Sequence, residues 1–205
     1  MLYYITMIYI FGDSHGRFNF NNLDISHINS SVNSITMFRI GRDNVIINFN
    51  PTFNNSENIF ILDYGEVDCR CHIARQLDIG HKLDDVCNSL VNNYINTIKN
   101  NIIKYKKIII CSVVPPIQRH IYEDVYGPVT HEFPFIGTDE ERVNNTKLIN
   151  SLLKSKCLEM GYIFFDFYDE YAKDDGTLRV ELSDNVCHIK ENTHILEKIK
   201  SIILI

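Results

Sequence analysis

The stretch Tyr9-Ile10-Phe11-Gly12-Asp13-Ser14-His15 decides how this chain is read. An apolar run from Leu2 to Phe11 stops abruptly at Gly12-Asp13-Ser14. Such a run is a buried β-strand; the glycine permits a tight turn, and a serine is left at the strand's C-terminal end. In open α/β sheets ligands bind at that end, so a hydroxyl there is placed for chemistry. A serine nucleophile needs a general base, and the base needs an orienting carboxylate. Near the other terminus, Ser183-Asp184-Asn185-Val186-Cys187-His188-Ile189 offers both groups. Ser, then Asp, then His is one of the chain orders in which a triad is built.

Working outward, Tyr3 to Phe11 is the first strand, a short helical turn follows Ser14, and a second strand falls around Ile25 to Ile28. The segment from Asn44 to Asn58 reads as irregular or a short helix. Ile59 to Tyr64 is a compact strand ending at Gly65. His81 to Tyr105 carries Leu83, Val86, Cys87, Leu90, Val91, Tyr94, Ile98 and Ile102 at helical spacing, with Asp84 and Asp85 in the first turn. Lys107 to Val114 is a β-branched strand stopped by Pro115-Pro116. Thr138-Asp139-Glu140-Glu141 is a capping-box start for a helix ending at Gly161. Tyr162 to Tyr168 is the last strand and Asn192 to Ile203 a terminal helix. Strands alternating with helices predict a parallel sheet covered on both faces, in a single domain over 1–205.

Phe11-Gly12-Asp13-Ser14, paired with Asp184 and His188, resembles the SGNH (GDSL-type) hydrolase superfamily. The likeness covers the layout of the whole chain but only a few short motifs in identity. It implies a three-layer α/β/α fold with a five-stranded, mostly parallel, flavodoxin-like sheet, and neither metal nor organic cofactor. Ser14 is the implied nucleophile, His188 its base and Asp184 the orienting carboxylate; His194 is a fallback base. The family places its Asp three residues before the His, whereas this chain has four, leaving a one-residue bulge for the loop to absorb.

The family's oxyanion donors are the serine N–H, a glycine N–H and an asparagine in a Gly-x-Asn-Asp block. By order Gly41 matches the glycine. The third block becomes Gly65-Glu66-Val67-Asp68, with Val67 where the asparagine is expected. Valine donates no side-chain hydrogen bond, so Arg70 is the nearest substitute, with an ion pair to Glu66 or Asp68 as its alternative. Gly65 to Arg70 is similar to a Gly-Glu-Ile-Asp-Cys-Arg variant in SGNH-like proteins of glycan gene clusters and large viruses. Glu66 and Asp68, charged groups at a strand's C-terminal end, are candidate substrate contacts. So are Arg119, His120 and Tyr122, which with Tyr126 and His131 lie in a long connection without obvious secondary structure. Cys69, Cys71 and His72, with His81 or Cys87, form a competing metal reading, but they lack paired Cys-x-x-Cys spacing.

The bulk numbers agree with an enzyme-sized globular chain. It has 205 residues, 45% hydrophobic and 22% charged, enough for a full core. A net charge of -6 argues against a general nucleic-acid binder. Lys104, Lys106 and Lys107 read as the end of a helix complementing its dipole. Six cysteines without framework spacing point to a reduced compartment. The N-terminal apolar run lacks a basic n-region and is too short to span a bilayer, so a cytoplasmic location without a membrane partner is expected. Heavy use of Asn, Ile, Lys and Tyr fits an AT-rich genome, viral or microbial; oligomeric state is not legible. The implied activity is a serine esterase removing O-acetyl or another short acyl group from a carbohydrate. A glycan O-acyltransferase with the same triad, and a catalytically degenerate glycan-binding member, are the alternatives.

Overall fold

The computed structural model describes residues 6–129 and 132–204. Tyr3, Tyr4 and Ile5 of the expected first strand, and His131, lie outside the described residues. Strand β1 is Ile8–Gly12, buried along its whole length. Helix α1, Ser14–Asn19, starts at once because the Asp13 carboxylate accepts the His15 N–H at 2.7 Å. Strand β2 is only His27–Asn29 and pairs with β1 alone. It is a half-exposed edge, so its three residues need no apolar pattern, and the strand expected at Ile25–Ile28 falls slightly later. Helix α2, Met37–Asp43, is capped by Thr36. From there to β3, Ile59–Asp63, the only regular feature is a 3₁₀ turn at Pro51–Phe53.

After β3 a π-helical turn, Asp68–His72, runs into α3, Ile73–Asp78. Helix α4 is Leu83–Asn101 and strand β4 is Lys107–Cys111. The connection after Pro115-Pro116 contains an eight-residue helix, α5, Arg119–Tyr126. Its apolar stripe, Ile121, Tyr122, Val125 and Tyr126, spans only two turns and none of its residues is fully buried, so in sequence the segment reads as connection. Helix α6, Asp139–Met160, has both bonds of the capping box at Thr138 and Glu141, and ends on Gly161 in the left-handed conformation. The chain closes with β5 (Ile163–Phe165), α7 (Tyr168–Tyr171), a 3₁₀ turn (Val180–Leu182) and α8 (Thr193–Leu204).

All five strands are parallel, in the order β2-β1-β3-β4-β5. One apolar core lies against α2, α4 and α6, with Met37, Ile40, Leu90, Val91, Ile149 and Leu153 among its members. The other face is covered by the end of α1 and by α8, through Phe20, Ile195, Ile199 and Ile203. This gives a three-layer α/β/α arrangement. In such an open sheet the strand order reverses between β1 and β3, and a crevice opens beyond their C-terminal ends. Gly12 pairs with Asp63 at that point. A Cβ on Gly12 would stand 2.7 Å from the Asp63 carbonyl oxygen and 2.8 Å from Gly16 Cα. Close approach of backbones is therefore what the glycine serves.

Candidate active site

Ser14 stands on the first residue of α1, above the β1–β3 crevice, where its main-chain N–H has no intrahelical acceptor. Its Oγ lies 2.9 Å from Nε2 of His188, 174 residues away along the chain. Nδ1 of His188 lies 2.7 Å from Oδ2 of Asp184. The other oxygen of Asp184 accepts main-chain N–H bonds from Val186, Cys187 and His188 at 2.8–3.1 Å. Asn185 adopts φ 63°, and Ser183 bridges to Ile189 across the base of the loop. The one extra residue between carboxylate and imidazole is thus absorbed by one left-handed asparagine, a conformation that residue tolerates. His194 is exposed in the first turn of α8.

The electrostatics follow from those bonds. Burial opposes ionisation of Asp184, but hydrogen bonds from His188 and the Val186 N–H hold its pKa at about 2. Burial likewise pulls His188 down; the bond to Asp184 and the Cys187 sulfur outweigh it and raise His188 to about 9. Phe18 stacks flat on the outer face of the His188 ring. On the inner side lies His15, its Nδ1 3.0 Å from Asp13 Oδ1 and its Nε2 3.1 Å from the Cys187 carbonyl oxygen. Burial pulls His15 down, but Asp13 beside it holds its pKa well above the usual histidine value. Cys187 Sγ is 3.6 Å from His188 Nε2. Phe18, His15 and Cys187 were missed by sequence reasoning. His15 and Cys187 adjoin motif residues, but nothing in their spacing announces a role.

Several candidate residues are placed elsewhere. Gly41 sits inside α2 against α4, where a Cβ would meet Asn93 Cβ at 2.7 Å. Its N–H belongs to the helix, so it is a packing glycine and supplies no oxyanion donor. Asp68 is fully buried and accepts the Met37 and Phe38 N–H bonds at the start of α2, at 2.7 and 3.1 Å. It is a helix cap, not a substrate contact. Glu66 is buried and pairs with Arg70, Nε to Oε1 3.3 Å, while the Arg70 guanidinium stands 5.3 Å from the Phe135 ring centre. Arg142 faces the same ring at 5.3 Å, and Tyr122 packs against it at 5.5 Å. Tyr122 therefore packs on Phe135 and on Tyr126. Arg119 is tied to Glu123 at 2.7 Å and His120 is exposed.

The metal reading at Cys69, Cys71 and His72 also fails on placement. Both thiols are buried, Cys71 donates to the Val67 carbonyl, and His72 stacks on Phe38. Among the described residues, the donors that do converge are those of His15, Cys187 and His188, within 4.8 Å of one another. All six cysteines are free.

No family model and no curated protein matches the sequence. Solved structures do. A GDSL-like lipase from Bacteroides thetaiotaomicron VPI-5482 superposes with a TM-score of 0.61 at 12% identity, over 97% of this chain and 88% of that one. The fold is that of the SGNH hydrolases. A member of the lipolytic protein G-D-S-L family from Veillonella parvula DSM 2008 shares the SGNH fold over 97% of both chains, at 16% identity and a TM-score of 0.55. So does the OSK domain of Drosophila Oskar, at 12% identity and 0.56, over 94% of this chain and 86% of that one. At these identities the likeness is one of SGNH fold, and activity has to be read from the side chains.

Proposed function

We propose that this chain is a serine esterase of SGNH type that removes a short acyl group, O-acetyl above all, from a carbohydrate. The observation that carries the reading is the unbroken chain of bonds from Ser14 Oγ through His188 to Asp184, at 2.9 and 2.7 Å. In that arrangement His188 takes the serine proton as Oγ attacks the ester carbonyl, and Asp184 stabilises the imidazolium that forms. His188 then returns the proton to the departing sugar alkoxide. Water, deprotonated by the same imidazole, clears the acyl-enzyme.

A sugar is favoured over a lipid by a cleft beside α2 and the turn after β3, which neither Ser14 nor His188 lines. About 360 Å³ in volume, it is lined by Asn33, Ser34, Thr36, Arg39, Arg42 and Arg75, with Glu132 and the rings of Phe38, His72 and Phe133 completing it. Guanidinium, hydroxyl and amide groups beside aromatic faces suit a hydroxylated ring better than a long acyl chain. Ser34 holds φ 63°, a strained position for a serine, in the loop that leads from the edge strand β2 into α2. With Gly41 inside a helix, the Ser14 N–H at the start of α1 is the main-chain donor we assign to the oxyanion.

The test is hydrolysis of p-nitrophenyl acetate and release of acetate from an O-acetylated oligosaccharide. Ser14→Ala is expected to lower kcat/KM by about a thousandfold or more with the melting temperature unchanged. Turnover equal to wild type in that variant overturns the hydrolase. A non-catalytic sugar binder is the second reading, favoured by Val67 in the third block and by the engagement of Arg70 with Glu66. It predicts that a fluorophosphonate leaves Ser14 unlabelled.

A further inference from the structure

Two histidines in this site share an arrangement that a single base does not require. His188 has Nδ1 on the Asp184 carboxylate at 2.7 Å, and His15 has Nδ1 on the Asp13 carboxylate at 3.0 Å. Each imidazole is thereby held with Nε2 turned toward Cys187, that of His15 3.1 Å from its carbonyl oxygen and that of His188 3.6 Å from its sulfur. A carboxylate on the far nitrogen is the device that orients metal-binding histidines and raises their basicity. Here it occurs twice around one thiol, and the three donor atoms lie within 4.8 Å of one another.

From this geometry we infer that His15, Cys187 and His188 form a binding site for a thiophilic divalent cation, zinc or cadmium, whose occupation switches the esterase off. A tetrahedral zinc with sulfur at about 2.3 Å and nitrogen at about 2.1 Å separates those two ligands by about 3.6 Å. Cys187 Sγ and His188 Nε2 stand 3.6 Å apart without any ion present. His15 completes the third position by exchanging its 3.1 Å bond to the Cys187 carbonyl for the metal. The fourth lies on the Ser14 side, where Oγ is 2.9 Å from His188 Nε2, and takes water or the serine oxygen.

Binding releases the thiol proton, and any proton on either Nε2, to solvent; nothing is oxidised or reduced. The lone pair that would accept the serine proton is then committed to the metal, so hydrolysis stops. The inhibition rests on the triad reading, whereas binding does not.

The experiment titrates the chelator-treated chain with Zn²⁺ while following p-nitrophenyl acetate. Separately, Co²⁺ or Cd²⁺ is titrated while the thiolate-to-metal charge-transfer absorbance is recorded. Wild type is expected to lose activity, to recover it with EDTA, and to give a charge-transfer band at one equivalent. Cys187→Ala is expected to lose the band and to need at least about tenfold more zinc for half-inhibition. Ser14→Ala keeps the band, so the metal site is read even where no ester is hydrolysed. A band of equal size in Cys187→Ala assigns it to other cysteines and overturns the proposal. So does the absence of any band in wild type at millimolar metal.

Discussion

Phe18 lies face to face on the imidazole of His188, ring centres 4.2 Å apart and planes 11° from parallel. The phenyl ring is 38% exposed, so it is held over the base rather than sunk into the core. An aromatic face favours a cation, and the imidazole becomes one as Ser14 attacks. Phe18→Ala is therefore expected to lower kcat about two- to tenfold, matching roughly 0.5–1.5 kcal/mol for such a contact. It is also expected to move the pH limb of His188 downward. Steady-state kinetics across pH checks both; an unshifted limb with unchanged kcat removes the role.

The hydrogen bond that His188 donates to Asp184 lifts the imidazole to about 9 against the pull of burial. A base works only when deprotonated, so kcat/KM is expected to climb with pH through neutrality and level off near that value. Asp184→Asn removes the lifting carboxylate. Its limb should fall toward that of free histidine while the rate drops by about a thousand- to ten-thousandfold. A profile that falls between pH 7 and 9 in wild type contradicts this assignment.

Asn192 ties the tail to the nucleophile helix. Its side-chain amide donates to the carbonyls of Phe18, Asn19 and Asn21, at 2.9–3.2 Å, and so closes the end of α1. Asn192→Ala strands buried carbonyls and is expected to cost about 1–3 kcal/mol in urea unfolding. Asn192→Leu, of similar volume, should cost no less if the bonds rather than the packing matter.

Two buried carboxyls give the fold a pH dependence of its own. Burial raises both Asp63 and Asp68 to about 7. Below about pH 4 both the folded and unfolded chains hold these protons; between about 4 and 7 only the folded chain does. Stability is thus expected to fall as pH rises across that window and to be flat above it, as far as these two groups decide. Asp184, held at about 2, acts oppositely and withdraws stability only below about pH 4. Melting temperatures at pH 5 and pH 8 check the sign, and Asp63→Asn should shrink the difference.

Local chemistry wrote much of this protein plainly. The end of β1 at Gly12-Asp13-Ser14, the amphipathic stripe of α4 and the capping box of α6 each rest on neighbours within a turn or a strand. Such patterns survive in sequence because the forces behind them act over a few residues. Ser14, Asp184 and His188 were legible as types at motif positions. Their meeting at 2.9 and 2.7 Å was not, since it depends on α8 packing against the sheet face beside α1.

Only tertiary structure decided the rest. Gly41 and Asp68 look like site residues by order, yet one makes room for α4 and the other caps α2. Their partners are tens of residues away, and no spacing rule encodes a partner at that distance. Asn185 settles the widened Asp184–His188 interval through one backbone angle, which side-chain identity permits but does not dictate. His15 and Cys187 became part of the picture for the same reason. Packing brought two orienting carboxylates, two imidazoles and a thiol to one point, and convergence of distant side chains is a property of the folded chain alone.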